Sequence, residues 1–370
     1  MVHILITGGA GFIGSHCVEE CIERGIPCTV IDIDCSPSRR ISHPHVAYVE
    51  GDITNPETFK KIEESPTHII HLAAAISVTE SMRLPTKYRQ TNVEGSKRVY
   101  EFGAACKCHR IVSASTAAVY GNPKEIPVKE DTLLSPLSPY AETKLEMEKI
   151  GRSLACKKQE DVPGMFSYAD ESGSSSWTES SSAISDSDTP APREDKCPHA
   201  AEQKDRPKVS SIQPFPPLHF LRFFNVYGPR QDPSSPYTGV ISTFAASGQT
   251  GKNLIIYGDG TQTRDFVFVK DVVSGIFHLL LSPVFDETSS LVFNVGTGRG
   301  ISILELAHTV LRLVKSPKSK IIHSEARPGD IKHSCANISS FKDNGWKPKI
   351  SFEDGLKMTL SWIEHEYKCK

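Results

Sequence analysis

Val2-His3-Ile4-Leu5-Ile6-Thr7-Gly8-Gly9-Ala10-Gly11-Phe12-Ile13-Gly14 is the most informative stretch of this sequence. A short apolar run of strand length, residues 2–7, passes directly into glycines at 8, 11 and 14, and a helix-length segment follows over 11–24. Glycines so spaced serve three steric needs: a tight turn, backbone that comes close to a pyrophosphate, and a helix packed hard against the strand. The spacing is GxxGxxG rather than GxGxxG, but the needs are the same. The first helical amides then face the anion, aided by the helix dipole. Gly8, Gly11, Phe12, Ile13 and Gly14 are therefore the candidate contacts to a dinucleotide.

Downstream, β-rich runs at residues 28–33, 46–49, 68–73 and 110–116 alternate with helix-length segments such as 85–106. Strand–helix alternation predicts βαβ units and a parallel sheet covered on both faces. Right-handed crossovers then make a doubly wound, Rossmann-type α/β fold the simplest topology. Asp32 ends the second run, 24 positions after Gly8. A carboxylate there accepts hydrogen bonds from the adenosine ribose and repels a 2′-phosphate, which favours NAD over NADP. Asp52 and Ile53 follow the third run, where Asp52 either contacts adenine or forms the turn. Leu72-Ala73-Ala74 ends the fourth with small residues, leaving space for the cofactor across the sheet.

A long helix is predicted from Pro139 to Cys156, with Pro at its first position and Ser138 as cap. Tyr140 and Lys144 lie four apart and so share one helix face. A phenol with a pKa near 10 is a poor base at neutral pH. A neighbouring ammonium and a positive nicotinamide ring both favour its phenolate, making Tyr140 a usable general base. Thr116, at the end of the fifth run, is placed to hydrogen-bond the reacting oxygen.

Bulk properties exclude other classes. The 370 residues carry 42 Lys plus Arg against 44 Asp plus Glu, a balance of −2 that offers no basis for a nucleic-acid surface. No run approaches 18 apolar residues, so no membrane span is expected, and the strand at residues 2–7 leaves no room for a leader. Ten cysteines are too dilute for a disulfide scaffold, which makes a reducing cytoplasm the expected compartment. Cys106-Lys107-Cys108-His109 lacks a second pair and reads as a helix end running into a strand, so no metal is expected. Residues 157–217 are rich in Ser, Asp, Glu, Lys and Pro and cannot bury enough apolar area to offset their ordering entropy; they are expected to form a disordered insertion. Its serines offer phosphorylation sites, but an inert spacer is the expected role. The organisation expected is therefore a nucleotide-binding domain over 1–156, the insertion, a strand returning to the sheet over 218–226, and a smaller domain occupying mainly 227–370.

Three segments together, Gly8 to Gly14, Tyr140-Ala141-Glu142-Thr143-Lys144 and Leu221-Arg222-Phe223-Phe224-Asn225-Val226-Tyr227-Gly228-Pro229-Arg230, resemble the extended short-chain dehydrogenase/reductase superfamily, and within it the nucleotide-sugar 4-epimerases. The likeness covers roughly residues 1–156 and 218–366. Ser113-Ala114-Ser115-Thr116-Ala117-Ala118-Val119-Tyr120-Gly121 matches the catalytic strand. Sugar 4,6-dehydratases carry Asp-Glu after the catalytic Thr, and glucuronate decarboxylases keep the Glu; here both places are Ala. The resemblance thus implies oxidation and re-reduction at C4 of a UDP-sugar. It further implies that Arg264 and Arg327 bind the diphosphate, that Asp330 holds the uridine ribose, and that Asn225 lies near the diphosphate. Asn92 would line the cofactor site, and Tyr257 would lie near the uracil. Ser334 borders the C2 substituent, where a serine leaves room for an N-acetyl group, so UDP-GlcNAc and UDP-GalNAc are expected substrates. A homodimer through the 85–106 and Tyr140 helices is the family's usual assembly. The rivals are a UDP-glucuronate 4-epimerase and a non-catalytic nucleotide-binding protein, the latter opposed by the presence of Thr116, Tyr140 and Lys144.

Overall fold

The computed structural model describes residues 1–156, 215–232, 239–285, 291–315, 318–326 and 331–368. Most of the expected insertion and the segment carrying Arg327 and Asp330 lie outside them. The first half runs β1 (Ile4–Thr7), α1 (Phe12–Glu23), β2 (Cys28–Asp32), β3 (Val46–Glu50), α2 (Pro56–Phe59), β4 (His68–His71), α3 (Val78–Ser81), α4 (Pro85–Arg89), a π-helical turn (Gln90–Gly95), α5 (Ser96–Ala105), β5 (Arg110–Thr116), a 3-10 turn (Ala117–Tyr120) and α6 (Pro139–Cys156). The second half runs β6 (Leu218–Phe223), β7 (Asn225–Tyr227), α7 (Val240–Gln249), β8 (Leu254–Tyr257), β9 (Thr263–Phe268), α8 (Val269–Leu281), β10 (Val292–Val295), β11 (Gly300–Ser302), α9 (Ile303–Val314), β12 (Ile321–Ser324), α10 (Ser339–Asp343) and α11 (Phe352–Lys368).

Seven strands pair in the order β10-β6-β5-β4-β1-β2-β3, every pair parallel. Parallel strands need both faces covered, and the side-chain period of two sorts neighbours onto opposite faces. Ile4, Ile6, Ile70 and Val112 pack with Val18 and Cys21 of α1 and Val272 and Ile276 of α8. Leu5, Ile69 and Ile111 pack on the other face with Val99 and Tyr100 of α5 and Met147 of α6. Burying each such chain contributes about 1.5–3 kcal/mol, and truncating one to Ala costs about 2–5 kcal/mol. Strand order reverses between β1 and β4, and the crevice beyond the carboxyl ends of strands at that switch point is where doubly wound sheets bind ligands.

Three details depart from the sequence-based expectation. The helix expected over 85–106 is interrupted by the π-helical turn, a feature that tends to mark functional sites. The strand expected over 218–226 divides. Phe224 is buried with Val119, Tyr120 and Ile338 and donates its amide to Val295, so β6 ends at Phe223. Asn225 then starts β7, which pairs with β9 in a separate three-stranded sheet, β11-β9-β7. Finally, α8 and β10 return to the first layer, although residues 227–370 were expected to belong mainly to the second. Val292–Val295 pairs with β6 because its apolar chain completes the core beneath α8 and α10. The remaining second-half elements form their own core, with Phe244 of α7, Phe266 of β9, Leu306 of α9 and Leu356 of α11.

Candidate active site

The glycine turn is set by contacts too close for side chains. Gly8 sits at φ +75, and a Cβ there would stand 2.7 Å from the Ala73 amide nitrogen at the end of β4. At Gly14 it would stand 2.1 Å from the Gly8 carbonyl oxygen. Gly11 precedes α1 and offers no side-chain cap, so the amides of the first turn, including those of Phe12 and Ile13, remain for an anion. Asp32, the last residue of β2, accepts the Ala10 amide at 3.0 Å and thereby braces the turn as well as facing the crevice. Asp52 is exposed and accepts the Thr54 amide at 2.8 Å, a turn-forming contact. Ile53 is buried against Gly95 of the π-helical turn. Leu72, Ala73 and Ala74 are half-buried where β4 opens toward the switch point.

Asn92 does more than line this crevice. Its side-chain oxygen accepts the Ala75 amide at 2.8 Å, while its NH2 donates to Ala75 O at 3.0 Å and to Thr143 Oγ1 at 3.1 Å. It thus clamps the chain after β4 to the helix that carries Tyr140. His71, which the sequence did not single out, hydrogen-bonds Thr7 Oγ1 at 2.7 Å and Ser96 Oγ at 2.8 Å. Burial, reinforced by the charge on Lys144, holds its pKa down at about 3, so it is neutral at pH 7. It ties the glycine turn, β4 and the helix after the π-turn together.

Tyr140 is the second residue of α6; Ser138 Oγ accepts the Ala141 amide at 3.3 Å, the cap its sequence position predicts. Thr116, extended at the end of β5, accepts the Ala118 amide at 3.2 Å, and its hydroxyl lies near enough to the Tyr140 phenol to favour the phenolate. Lys144 lies one turn along, 4% exposed, its Nζ 3.4 Å from Met147 Sδ. Thr116, Tyr140 and Lys144 therefore converge beside the switch point.

On the far side, Asn225 is exposed at the start of β7 opposite Phe266 of β9. Arg264, also in β9, donates Nη1 to Thr263 O at 2.9 Å and to Ile331 O at 2.6 Å. Ser334 is half-buried and donates its amide to Thr263 O at 3.1 Å, so Arg264 and Ser334 flank one backbone unit. Tyr257 is exposed at the end of β8, linked to this region by the Gln262 amide on its carbonyl. Asp265 escaped notice in the sequence. It is fully buried and accepts Thr297 N (2.7 Å), Thr297 Oγ1 (2.6 Å), Gly298 N (3.0 Å) and Ala336 N (3.0 Å). A carboxylate directly before the apolar run Phe266-Val267-Phe268 was the available signal. Its carboxylate locks β9, and with it Arg264, to the loops at 297–298 and 336.

Residues 4–163 and 217–296, more than half of the chain, match the NAD dependent epimerase/dehydratase family. The chain belongs to that family. A putative UDP-glucose 4-epimerase of Methanocaldococcus jannaschii is 29% identical over 364 residues, covering 98% of each chain. Among solved structures, the UDP-glucose 4-epimerase of Thermotoga maritima with UDP-glucose superposes with a TM-score of 0.77 at 27% identity, covering 99% of this chain and 100% of that one. The UDP-N-acetylglucosamine 4-epimerase of Methanobrevibacter ruminantium, in complex with UDP-N-acetylmuramic acid, gives 0.77 at 27% identity, covering 99% of both chains. NAD is the cofactor of this epimerase/dehydratase, and its own residues fit that molecule. An uncapped helix N-terminus suits the pyrophosphate and Asp32 suits a ribose. The buried Lys144 ammonium, whose acceptor is a thioether, has donors for ribose hydroxyls.

Electrostatics refine the role of the lysine. Burial holds the Tyr140 phenol above its ordinary value, with the Thr116 hydrogen bond as the opposing influence. Burial also pulls Lys144 down to about 8, against the raising effect of Glu148. Lys144 alone therefore does not bring the phenol toward neutrality; the positive charge of oxidised NAD, the second influence expected from the sequence, has to contribute. Among the described residues no group of His, Cys, Asp and Glu could hold a metal ion, and no helix is long and apolar enough to cross a membrane. Cys106 and Cys108 bracket Lys107 at φ +55 where α5 turns toward β5, the helix end expected of them.

Proposed function

We propose that this chain is a 4-epimerase that interconverts UDP-GlcNAc and UDP-GalNAc, with UDP-glucose and UDP-galactose as a second pair. One observation carries the proposal: Tyr140 stands beside Thr116, whose hydroxyl favours its phenolate, on the helix that carries the buried Lys144, while Ala117 and Ala118 stand where dehydration would need an acid and a base. The half-buried Ser334 beside Thr263 supports room for an N-acetyl group. The Methanobrevibacter relative, named for UDP-N-acetylglucosamine, supports the same choice.

NAD, when bound, supplies a reversible hydride acceptor for C4 of the sugar. Tyr140 Oη takes the O4 proton and later returns it, and the Thr116 hydroxyl holds O4 in line with it. The Lys144 ammonium favours the phenolate and orients the nicotinamide ribose. Arg264, with Arg327, Asp330, Asn225 and Tyr257, holds the UDP while the 4-keto sugar turns about its diphosphate link to present its other face. Binding energy remote from C4 is thereby spent on keeping the intermediate in place. The assembly that accompanies this reading is a homodimer in the cytoplasm.

The test is a product-resolved assay of the purified NAD-loaded protein with UDP-GlcNAc, UDP-glucose and UDP-glucuronate, beside Tyr140→Phe. Interconversion at C4 without net NAD consumption is expected, fastest with UDP-GlcNAc, and the variant should lose about 10²–10⁴-fold in kcat. Full activity in Tyr140→Phe, or no C4 product from any of the three, would remove the proposal.

A further inference from the structure

On the face of α6 that bears Lys144, one turn deeper, lies Glu148, which is 1% exposed and has no part in the chemistry above. Its Oε1 accepts the Ser115 hydroxyl at 2.5 Å and Arg222 Nε at 3.0 Å, and its Oε2 accepts Arg222 Nη2 at 2.7 Å. Arg222, equally buried, also donates Nη1 to Tyr120 Oη at 2.9 Å and to Glu130 O at 3.0 Å. Tyr120 in turn donates its hydroxyl to Asn294 Oδ1 at 2.6 Å. Ser115 directly precedes Thr116, and Tyr120 closes the 3-10 turn that follows it. The network therefore grips the end of β5 on both sides of Thr116 and joins it to α6, β6 and β10.

A buried ion pair is weak evidence for stability, since well-packed apolar groups often serve as well. Here its geometry suggests another use. We propose that Ser115, Glu148 and Arg222 are positioning residues that fix the rotation of α6 against β5 and so set the Tyr140 hydroxyl on the Thr116 hydroxyl. The inference rests on the 4-epimerase reading. Tyr140 lies eight residues, or about 12 Å of rigid helix, from Glu148, so a twist at the carboxylate is carried to the phenol. A misplacement of about 1 Å at a reacting group costs on the order of 100-fold. The Glu148 charge also opposes the effect of burial on Lys144, a second influence on the same site.

The experiment compares Ser115→Ala with wild type, measuring kcat and KM for the UDP-sugar on NAD-loaded protein well below its melting temperature. The variant deletes the strand-to-helix bond while both Arg222 contacts to Glu148 remain. A kcat at least about tenfold lower, with KM within about twofold and NAD content unchanged, is expected. A kcat lowered by less than about tenfold overturns the inference, and so does a loss accounted for by NAD-free protein. If Ser115→Ala does not fold, Ser115→Cys, which keeps a weak donor of similar size, is judged by the same kcat, KM and NAD criteria. An inactive wild type would instead remove the epimerase reading itself, so the two failures are told apart.

Discussion

Gly14→Ala isolates the contact on which the whole cofactor site turns. A Cβ at this position stands 2.1 Å from Gly8 O and 2.6 Å from Gly9 Cα, whereas real Cβ atoms essentially never come within 3.0 Å. The first turn of α1 must therefore retreat by about 0.9 Å, the difference between 3.0 and 2.1 Å. Both opposing atoms are backbone, and Gly8 is itself confined by Ala73 on its other side, so no flexible side chain can give way. Forced overpacking of this kind costs about 1–3 kcal/mol. If that falls on the retracted α1 amides that face the pyrophosphate, NAD binding weakens by about 5–150-fold at 1.4 kcal/mol per tenfold. The assay is NAD released from purified protein on denaturation, followed by calorimetric titration of NAD into the stripped enzyme. Stoichiometric NAD in Gly14→Ala, with affinity and melting temperature equal to wild type, would refute the reasoning.

Lys144→Met separates stability from activity. The folded protein holds the lysine proton only to about pH 8, against 10.5 when free. Unfolding thus takes up a proton between those values, and the penalty is present in full below pH 8 and gone above 10.5. The variant should be more stable than the NAD-free wild type at pH 7 by about 1–3 kcal/mol, with the gain fading toward pH 10 in denaturant titrations, while kcat collapses. Asp32→Ala removes the brace on Ala10 and the proposed ribose acceptor; NAD should bind about 10–100-fold more weakly and discrimination against NADP should shrink, as competitive titration would reveal. Arg222→Met leaves Glu148 buried without its guanidinium and should cost about 3–5 kcal/mol in urea unfolding.

The first sheet strands were legible because burial on both faces leaves near-continuous apolar runs, and the glycines at 8, 11 and 14 could be assigned because steric exclusion is local. The seventh strand, Val292–Val295, was not: three apolar residues around an asparagine look alike in either domain, and only pairing with β6 assigns them. Phe224 likewise reads as part of one strand until its burial shows where β6 ends.

Motif chemistry in the site was equally local. Tyr140 and Lys144 share a face by helical periodicity, and Thr116 ends a strand, so their identities follow from spacing. By itself, the sequence determined the doubly wound fold and the places of Gly8, Gly14, Thr116, Tyr140 and Lys144 within it, because each depends on residues a few positions apart. Tertiary structure decided what holds them: Asn92 against Ala75 and Thr143, His71 between Thr7 and Ser96, and Asp265 with four donors from two loops. It also decided that burial, opposed by Thr116, holds the Tyr140 phenol above its ordinary value. Hydrogen bonds and desolvation join residues far apart in the chain, and only folding brings those partners together.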